Sequence, residues 1–71
     1  MKYRLYFEDD NYQRILIAAC SEVDIIHFIY EDAATRFPNF KIYYVRSFVE
    51  NNITYYDFGS HSSYYVAIPI I

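Results

Sequence analysis

Two strand-like runs joined by a pair of asparagines, over residues 41–58, constrain the fold of this chain more than any other feature of its sequence. The runs read KIYYVRSFVE and ITYYDF, and the linking residues are Asn51 and Asn52. β-Branched and aromatic side chains favour a pleated strand, and asparagine tolerates the positive φ angles that a two-residue hairpin turn requires. The sequence therefore predicts an antiparallel hairpin with its turn at these two asparagines.

The turn also predicts which residues of the hairpin face each other. Counted outward from the turn, the predicted pairs are Glu50 with Ile53, Val49 with Thr54, Phe48 with Tyr55, Ser47 with Tyr56, Arg46 with Asp57, and Val45 with Phe58. Because successive side chains of a strand point to opposite faces, these pairs divide between two faces, and both are rich in aromatic residues. On one of them, Arg46 and Asp57 are expected to form a cross-strand ion pair.

Three further strands are predicted outside this hairpin. Residues 3–7 and 12–19 form a first hairpin around the acidic turn of residues 8–11. Residues 15–19 are apolar on both faces, which places the second strand centrally in the sheet or under cover on both sides. Residues 64–70 form the last strand. Because Pro69 cannot donate a ladder hydrogen bond, this strand is expected to lie at a sheet edge or to end near that residue.

One helix is predicted over residues 22–36, ending before Pro38 because proline disfavours a helical conformation in the residue that precedes it. Ser21 is expected to be its N-cap, with the hydroxyl accepting from the backbone N–H of Asp24. At about 100° per residue, the predicted core face carries Ile26, Ile29, Tyr30, Ala33 and Phe37, with Val23 and Ile25 at its margins. Phe28 falls on the polar side, either as an exposed binding anchor or packed under a neighbouring loop or strand end.

Together these elements predict a single α+β domain over residues 1–71. The element order is ββαβββ, and one helix packs on one face of an antiparallel sheet of about five strands. The order of strands within the sheet does not follow from the sequence. Since one helix covers only one face, the other aromatic face needs a partner or a second cover. The predicted partner-binding residues are Tyr44, Arg46, Phe48, Tyr55 and Asp57, with Phe28 on the helix.

Charge and cysteine content narrow the class of protein. The net charge is −3, and the six basic residues are scattered, whereas nucleic-acid binders usually show a basic stripe. Nucleic acid is therefore disfavoured as a partner. Cys20 is the only cysteine, so the chain is not a disulfide scaffold and fits a reducing compartment. No signal peptide is apparent and no apolar run approaches the roughly 20 residues of a membrane span, which predicts a cytoplasmic location without a membrane partner.

No catalytic or metal-binding pattern stands out. His61 lies among Ser60, Ser62 and Ser63, but neither a nucleophile elbow nor an oxyanion-hole motif accompanies it. The spacing of the two histidines matches no metal motif, and a single glycine is too few for a phosphate-binding loop. The acidic turn lacks the ligand spacing of an EF-hand and is interpreted as a solvated turn, and the adjacent acids Glu31 and Asp32 are also expected to be solvated. The sequence thus predicts a non-enzymatic protein without metal or cofactor.

The favoured function is a protein-binding module or small inhibitor that acts through its aromatic sheet face. Its size and composition are typical of phage or mobile-element accessory proteins, for example inhibitors of a host defence system. A first alternative is single-stranded nucleic-acid binding by aromatic stacking, with charge from Arg4, Lys41 and Arg46 if the first and third strands are neighbours. A second alternative is a structural homo-oligomer, most simply a homodimer, whose exposed face is its own interface.

Overall fold

A computed structural model describes residues 1–70 and shows the predicted order of elements. The strands are β1 (Lys2–Glu8), β2 (Arg14–Ser21), β3 (Arg46–Glu50), β4 (Ile53–Asp57) and β5 (Tyr64–Pro69), and a 3₁₀ turn (Glu22–Asp24) leads into helix α1 (Ile25–Arg36). All neighbouring strands are antiparallel, in the order β2-β1-β5-β4-β3, and α1 packs on one face. The predicted α+β fold is confirmed. No helix within residues 1–70 is long and apolar enough to cross a membrane.

The β3–β4 hairpin has the predicted turn and register. Asn51 and Asn52 have φ angles of 54° and 67°, as a turn with two left-handed residues requires. The pairing from Glu50 and Ile53 out to Arg46 and Asp57 is the one predicted. The ladder is shorter than expected, because residues 41–45 form no strand and Val45 does not pair with Phe58.

The chain turns away at the far end of β4. The Asp57 side chain accepts a 2.9 Å hydrogen bond from the N–H of Gly59, whose φ angle is 99°. Phe58, between these two residues, is fully buried in the core, and Val45 packs against the same core. Both residues therefore contribute to packing beneath the sheet rather than to the ladder.

Strand order is where the local prediction fails. β5 lies at the centre of the sheet between β1 and β4, so it is not an edge strand. It ends at Pro69, which is the other alternative predicted for this strand. β2 is an edge strand, so its predicted central position is wrong, and Ile15 and Leu16 are exposed. Because Leu5 pairs with Ala18 and Tyr6 with Leu16, one extra residue forms a bulge in β2.

The helix is rotated relative to the predicted core face. Its buried residues are Ile25, Ile29 and Ala33, whereas Ile26 and Tyr30 are exposed. Phe28 is half-buried and packs against the core, so of its two predicted alternatives the structure shows the packed one and not the exposed anchor. The physical reason is a set of polar contacts. A second row of helix residues, displaced by one position from the buried row, also faces the sheet and comprises Phe28, Asp32 and Arg36.

Asp32 and Arg36 belong to that row because the sheet supplies partners for both. The hydroxyl of Tyr65 on β5 donates to Asp32 Oδ2 at 2.7 Å, and Arg36 donates to both carboxylate oxygens at 2.9 and 3.2 Å. The Arg36 guanidinium lies 4.3 Å from the centre of the Phe7 ring. The expectation that Asp32 is solvated is therefore wrong. A helix face with two charged residues packs on the sheet because both charges are paired.

The entry to the helix also differs from the predicted cap. β2 continues through Ser21, and the Ser21 hydroxyl donates to Asp24 Oδ2 at 3.1 Å instead of accepting from a backbone N–H. The 3₁₀ turn then brings Ile25 into the core beside Cys20. Burial of Cys20 and the nearby carboxylate of Asp24 raise the pKa of its thiol, which suits a packing role for this side chain.

Candidate functional site

The sheet face turned away from α1, here called the outer face, carries a continuous row of side chains across all five strands. In strand order from β2 to β3, the row comprises Leu16, Tyr6, Val66, Tyr55 and Phe48. Val66 at its centre is fully buried, although no helix lies over this face. Its neighbours Tyr65 and Ala67 point into the core beneath the helix, so the burial of Val66 comes from the outer-face side chains around it.

Three rings on this face pack together and form what we call the aromatic cluster: Phe48, Tyr55 and Tyr64. Phe48 and Tyr55 are stacked, with centroids 5.3 Å apart and planes 8° from parallel. Tyr64 meets both rings edge-on, at 6.0 and 6.1 Å. Such pairs contribute about 0.5–1.5 kcal/mol each beyond the area that they bury. The packing fixes the rings in place while Phe48 stays 44% exposed, so the cluster is a rigid apolar surface.

A salt bridge borders the aromatic cluster. Arg14 Nε donates to Glu8 Oε1 at 2.9 Å, and Arg14 Nη2 donates to the Tyr55 hydroxyl at 3.3 Å. Glu8 is buried, and its hydrogen bond and charge raise the pKa of Arg14. The guanidinium thus extends from the β2 edge across the sheet to β4. It places a fixed, internally neutralised charge pair beside the rings.

The cluster and the salt bridge together enclose an open depression of about 380 Å³. The residues that line it are Glu8, Tyr12, Arg14, Phe48, Glu50, Tyr55 and Tyr64. Its floor is aromatic, and its rim carries a guanidinium, two carboxylates and tyrosine hydroxyls. This chemistry suits an apolar side chain with polar neighbours, because ring faces provide contact area and the rim provides hydrogen bonds.

The structure brings four of the predicted binding residues to this region in two pairs. Phe48 and Tyr55 form the stacked centre of the cluster. Tyr44 precedes β3, and the Arg46 guanidinium lies 4.6 Å from the centre of its ring. Asp57 stands opposite Arg46 in the ladder, but the predicted ion pair does not form in the described chain, since the Asp57 carboxylate accepts from Gly59 and Arg46 stacks on Tyr44.

Phe28 is not part of this surface, because it lies on α1 and packs against the core on the opposite side of the sheet. Sequence reasoning missed Glu8, Arg14 and Tyr64. Alternation along β5 gives the face on which Tyr64 lies. Only the strand order, with β5 between β1 and β4, shows that this tyrosine meets the hairpin rings and that Arg14 reaches Tyr55.

The other polar groups considered from the sequence are engaged in turns. Ser60 Oγ accepts from the N–H groups of Ser62 and Ser63 at 3.4 and 3.3 Å, which shapes the loop around His61. Asp9 Oδ1 accepts from Asn11 and Gln13, both at 2.9 Å, which closes the acidic turn. Within residues 1–70, no group of three or more His, Cys, Asp or Glu side chains is arranged to hold a metal ion.

Comparison of the chain with protein-family models, curated proteins and solved structures finds no match. Its function is therefore inferred from the surface chemistry of the outer face.

Proposed function

We propose that this chain is a non-enzymatic protein-binding module that acts through its outer face, as a small inhibitor that occludes a surface of its partner. The observation that supports this proposal is the aromatic cluster of Phe48, Tyr55 and Tyr64, which is preorganised by ring packing and bordered by the Arg14–Glu8 salt bridge. Aromatic residues with a polar rim are typical of the residues that dominate binding energy in protein interfaces.

The charges around the cluster favour a protein over a nucleic acid. Binding to phosphates requires cations that are free to replace counterions, but Arg14 is already paired with Glu8. β1 and β3 are not neighbours, so Arg4 and Arg46 are separated by β5 and β4 and do not form the basic group on which the nucleic-acid alternative depended. The net charge of −3 also disfavours a nucleic-acid partner.

The setting in which the module works belongs to the same proposal. A free, buried thiol at Cys20 is compatible with a reducing cytoplasm. Rigid ring packing suits an inhibitor, because little conformational entropy is lost when a preorganised surface binds. An origin in a phage or mobile element, with a host defence protein as the target, is the part of the proposal that rests on size and composition.

The test is affinity capture from the native source with matched variants. Phe48→Ala and Tyr55→Ala remove cluster rings, and Tyr30→Ala removes a helix ring whose residue is, like Phe48, 44% exposed. We expect the chain and Tyr30→Ala to retain the same partner. The two cluster variants should bind the purified partner at least about tenfold more weakly in calorimetry, as loss of an interface anchor implies. Circular dichroism and thermal unfolding establish that each variant is folded.

Equal retention of the partner by folded Phe48→Ala and Tyr55→Ala would reject the outer face as the binding surface. Nucleic-acid binding is measured separately with a fluorescently labelled single-stranded oligonucleotide. An anisotropy change at low salt that weakens as salt rises, and that Phe48→Ala abolishes, would favour base stacking over protein binding. A flat titration supports the proposal.

A further inference from the structure

β3 is an edge of the sheet without the bulge, lysine, proline or covering segment that often protects such an edge. All five of its residues are exposed, and among residues 1–70 no hydrogen bond reaches β3 from outside its ladder with β4. The opposite edge, β2, carries a bulge, which is a common device against edge pairing. β3 is regular, short and free of lysine and proline. An unpaired regular edge is a template for another strand.

The hairpin turn determines which backbone groups of β3 point away from the sheet. In a two-residue hairpin, the residues that flank the turn form a hydrogen-bonded pair, here Glu50 and Ile53. Because the pattern alternates, Phe48 and Arg46 also bond to β4. The N–H and C=O groups of Ser47 and Val49 then point outward, and they are the groups available to an added strand.

The side chains of β3 are complementary to a second copy of the same strand. Arg46 and Glu50 stand two positions before and after Phe48, and all three are on the outer face. An antiparallel copy related by a twofold axis at Phe48 places each Arg46 opposite the Glu50 of the other chain. The same register makes Ser47 and Val49 of the two chains exchange four backbone hydrogen bonds, which matches their outward direction.

We infer that the chain forms a homodimer by antiparallel pairing of β3 with β3 of a second copy, centred on Phe48. Registers shifted by two residues keep the hydrogen-bond phase, but they place Phe48 opposite a charged residue and lose both charge pairs. Arg46 stacks on the Tyr44 ring, but neither Arg46 nor Glu50 forms a salt bridge with any residue of the described chain, so the guanidinium N–H groups and the carboxylate can pair with the second copy. The twofold axis limits the assembly to two copies, which is the commonest symmetry of soluble homo-oligomers.

The dimer has a ten-stranded sheet and one continuous outer face. The two Phe48 rings meet at the axis, each stacked on its own Tyr55, so the two aromatic clusters become a single apolar surface. This inference goes beyond the proposed function and does not rest on it. Phe48 belongs to both surfaces, but the pairing depends on the backbone and the charges of the β3 edge, whereas partner binding depends on the rings of the outer face.

The first test is the mass in solution, by sedimentation over about 1 µM to about 1 mM, the range in which small interfaces dissociate. We expect a species of twice the 8.6 kDa of one chain. Arg46→Glu and Glu50→Arg each place like charges opposite one another and should raise the dissociation constant at least about tenfold. The double variant Arg46→Glu/Glu50→Arg restores the pairs and should restore the dimer.

The matched control is Arg4→Glu, the same change of charge on the exposed outer face of the inner strand β1, which should leave the dissociation constant unchanged. A wild-type monomer over the whole range, a double variant no better than the single ones, or an equal effect of Arg4→Glu would each overturn the inference.

Cysteine cross-linking tests the register. Residues at position 48 of the two chains form a non-hydrogen-bonded pair with Cα atoms about 4.5 Å apart, within disulfide range. Oxidised Phe48→Cys should therefore give a covalent dimer in the folded state, whereas Val49→Cys, which faces Ser47 of the other chain, should give much less. Preferential cross-linking of Val49→Cys would show a shifted register and contradict the proposed pairing.

Discussion

The hydroxyl of Tyr65, at the centre of the sheet, donates a 2.7 Å hydrogen bond to Oδ2 of Asp32 on the helix. The same carboxylate accepts two hydrogen bonds from Arg36, at 2.9 and 3.2 Å. Tyr65 is fully buried, and its ring packs against Phe7 and Phe58. The helix is therefore held in its rotation by a polar contact within the core, and that contact determines which helix residues are buried.

Removal of this hydroxyl tests how much it contributes. Tyr65→Phe keeps the ring and leaves Asp32 with Arg36 as its only side-chain donor. We expect the free energy of unfolding to fall by about 1–2 kcal/mol, because hydrogen bonds to charged groups contribute more than neutral ones. Urea denaturation measures the loss. Tyr64→Phe, whose hydroxyl bonds to no other described residue, is the control and should change stability by less than about 0.5 kcal/mol; an equal loss would contradict the assignment.

The same contact predicts loss of stability at alkaline pH. Burial and the hydrogen bond to Asp32 raise the pKa of Tyr65 well above its ordinary value of 10.0. Below pH 10 the tyrosine is neutral in both states, so its full contribution is present. Above pH 10 the unfolded chain ionises first, and stability falls by up to about 1.4 kcal/mol per pH unit until the folded pKa is reached.

Urea unfolding from about pH 8 to about pH 11 measures this loss in the wild type and in Tyr65→Phe. The stability difference between the two proteins should shrink above pH 10, because only the wild type loses this contribution. Tyr56, whose pKa is also raised by burial, is present in both proteins and cancels in the comparison. A difference that stays constant with pH would show that Tyr65 ionises equally in both states.

The sequence predicts the hairpin and its register because both depend on residues close together in the chain. Asn51 and Asn52 adopt the positive φ angles for which asparagine is suited, and side-chain alternation does the rest. The helix face could not be predicted from hydrophobicity, which treats Asp32 and Arg36 as solvated. The partial burial of Asp32 depends on Tyr65, which lies 33 residues further along the chain.

Only the part of the candidate site that lies within the hairpin could be predicted from the sequence, because its residues are close together in the chain. Phe48 and Tyr55 are paired within the hairpin, so the sequence identifies them. Tyr64 and Arg14 join them only because β5 inserts between β1 and β4, and no local pattern determines which strands become neighbours. The predicted Arg46–Asp57 ion pair fails because each group has a nearer partner, in Tyr44 and Gly59 respectively.

At position 52 of the asparagine turn, alanine and glycine are expected to affect the free energy of unfolding differently. Asn52 has a φ angle of 67°, which costs most residues about 1–2 kcal/mol and costs glycine little. Asn52→Ala should lower the free energy of unfolding by about 1 kcal/mol, and Asn52→Gly should leave it unchanged or raise it slightly. Thermal and urea unfolding of the two variants give the comparison. If alanine is tolerated as well as glycine, the left-handed conformation is not required there.

The Arg14–Glu8 salt bridge predicts a non-additive pair of substitutions. Arg14→Met keeps much of the apolar stem but leaves the buried carboxylate of Glu8 without its cation. We expect a loss of about 1–2 kcal/mol, below the value for a fully buried pair because the Arg14 side chain is one-third exposed. Adding Glu8→Gln removes the uncompensated charge, so the double variant should be more stable than Arg14→Met alone.

Urea denaturation of the two single variants and the double variant completes this double-mutant cycle. The exposed pair of His27 and Glu31 is the control, where Glu31→Gln should change stability by less than about 0.5 kcal/mol. Strictly additive losses at Arg14 and Glu8 would mean that the two charges do not interact. In that case the salt bridge would not fix the rim of the aromatic cluster, and Arg14 would owe its position to Tyr55 alone.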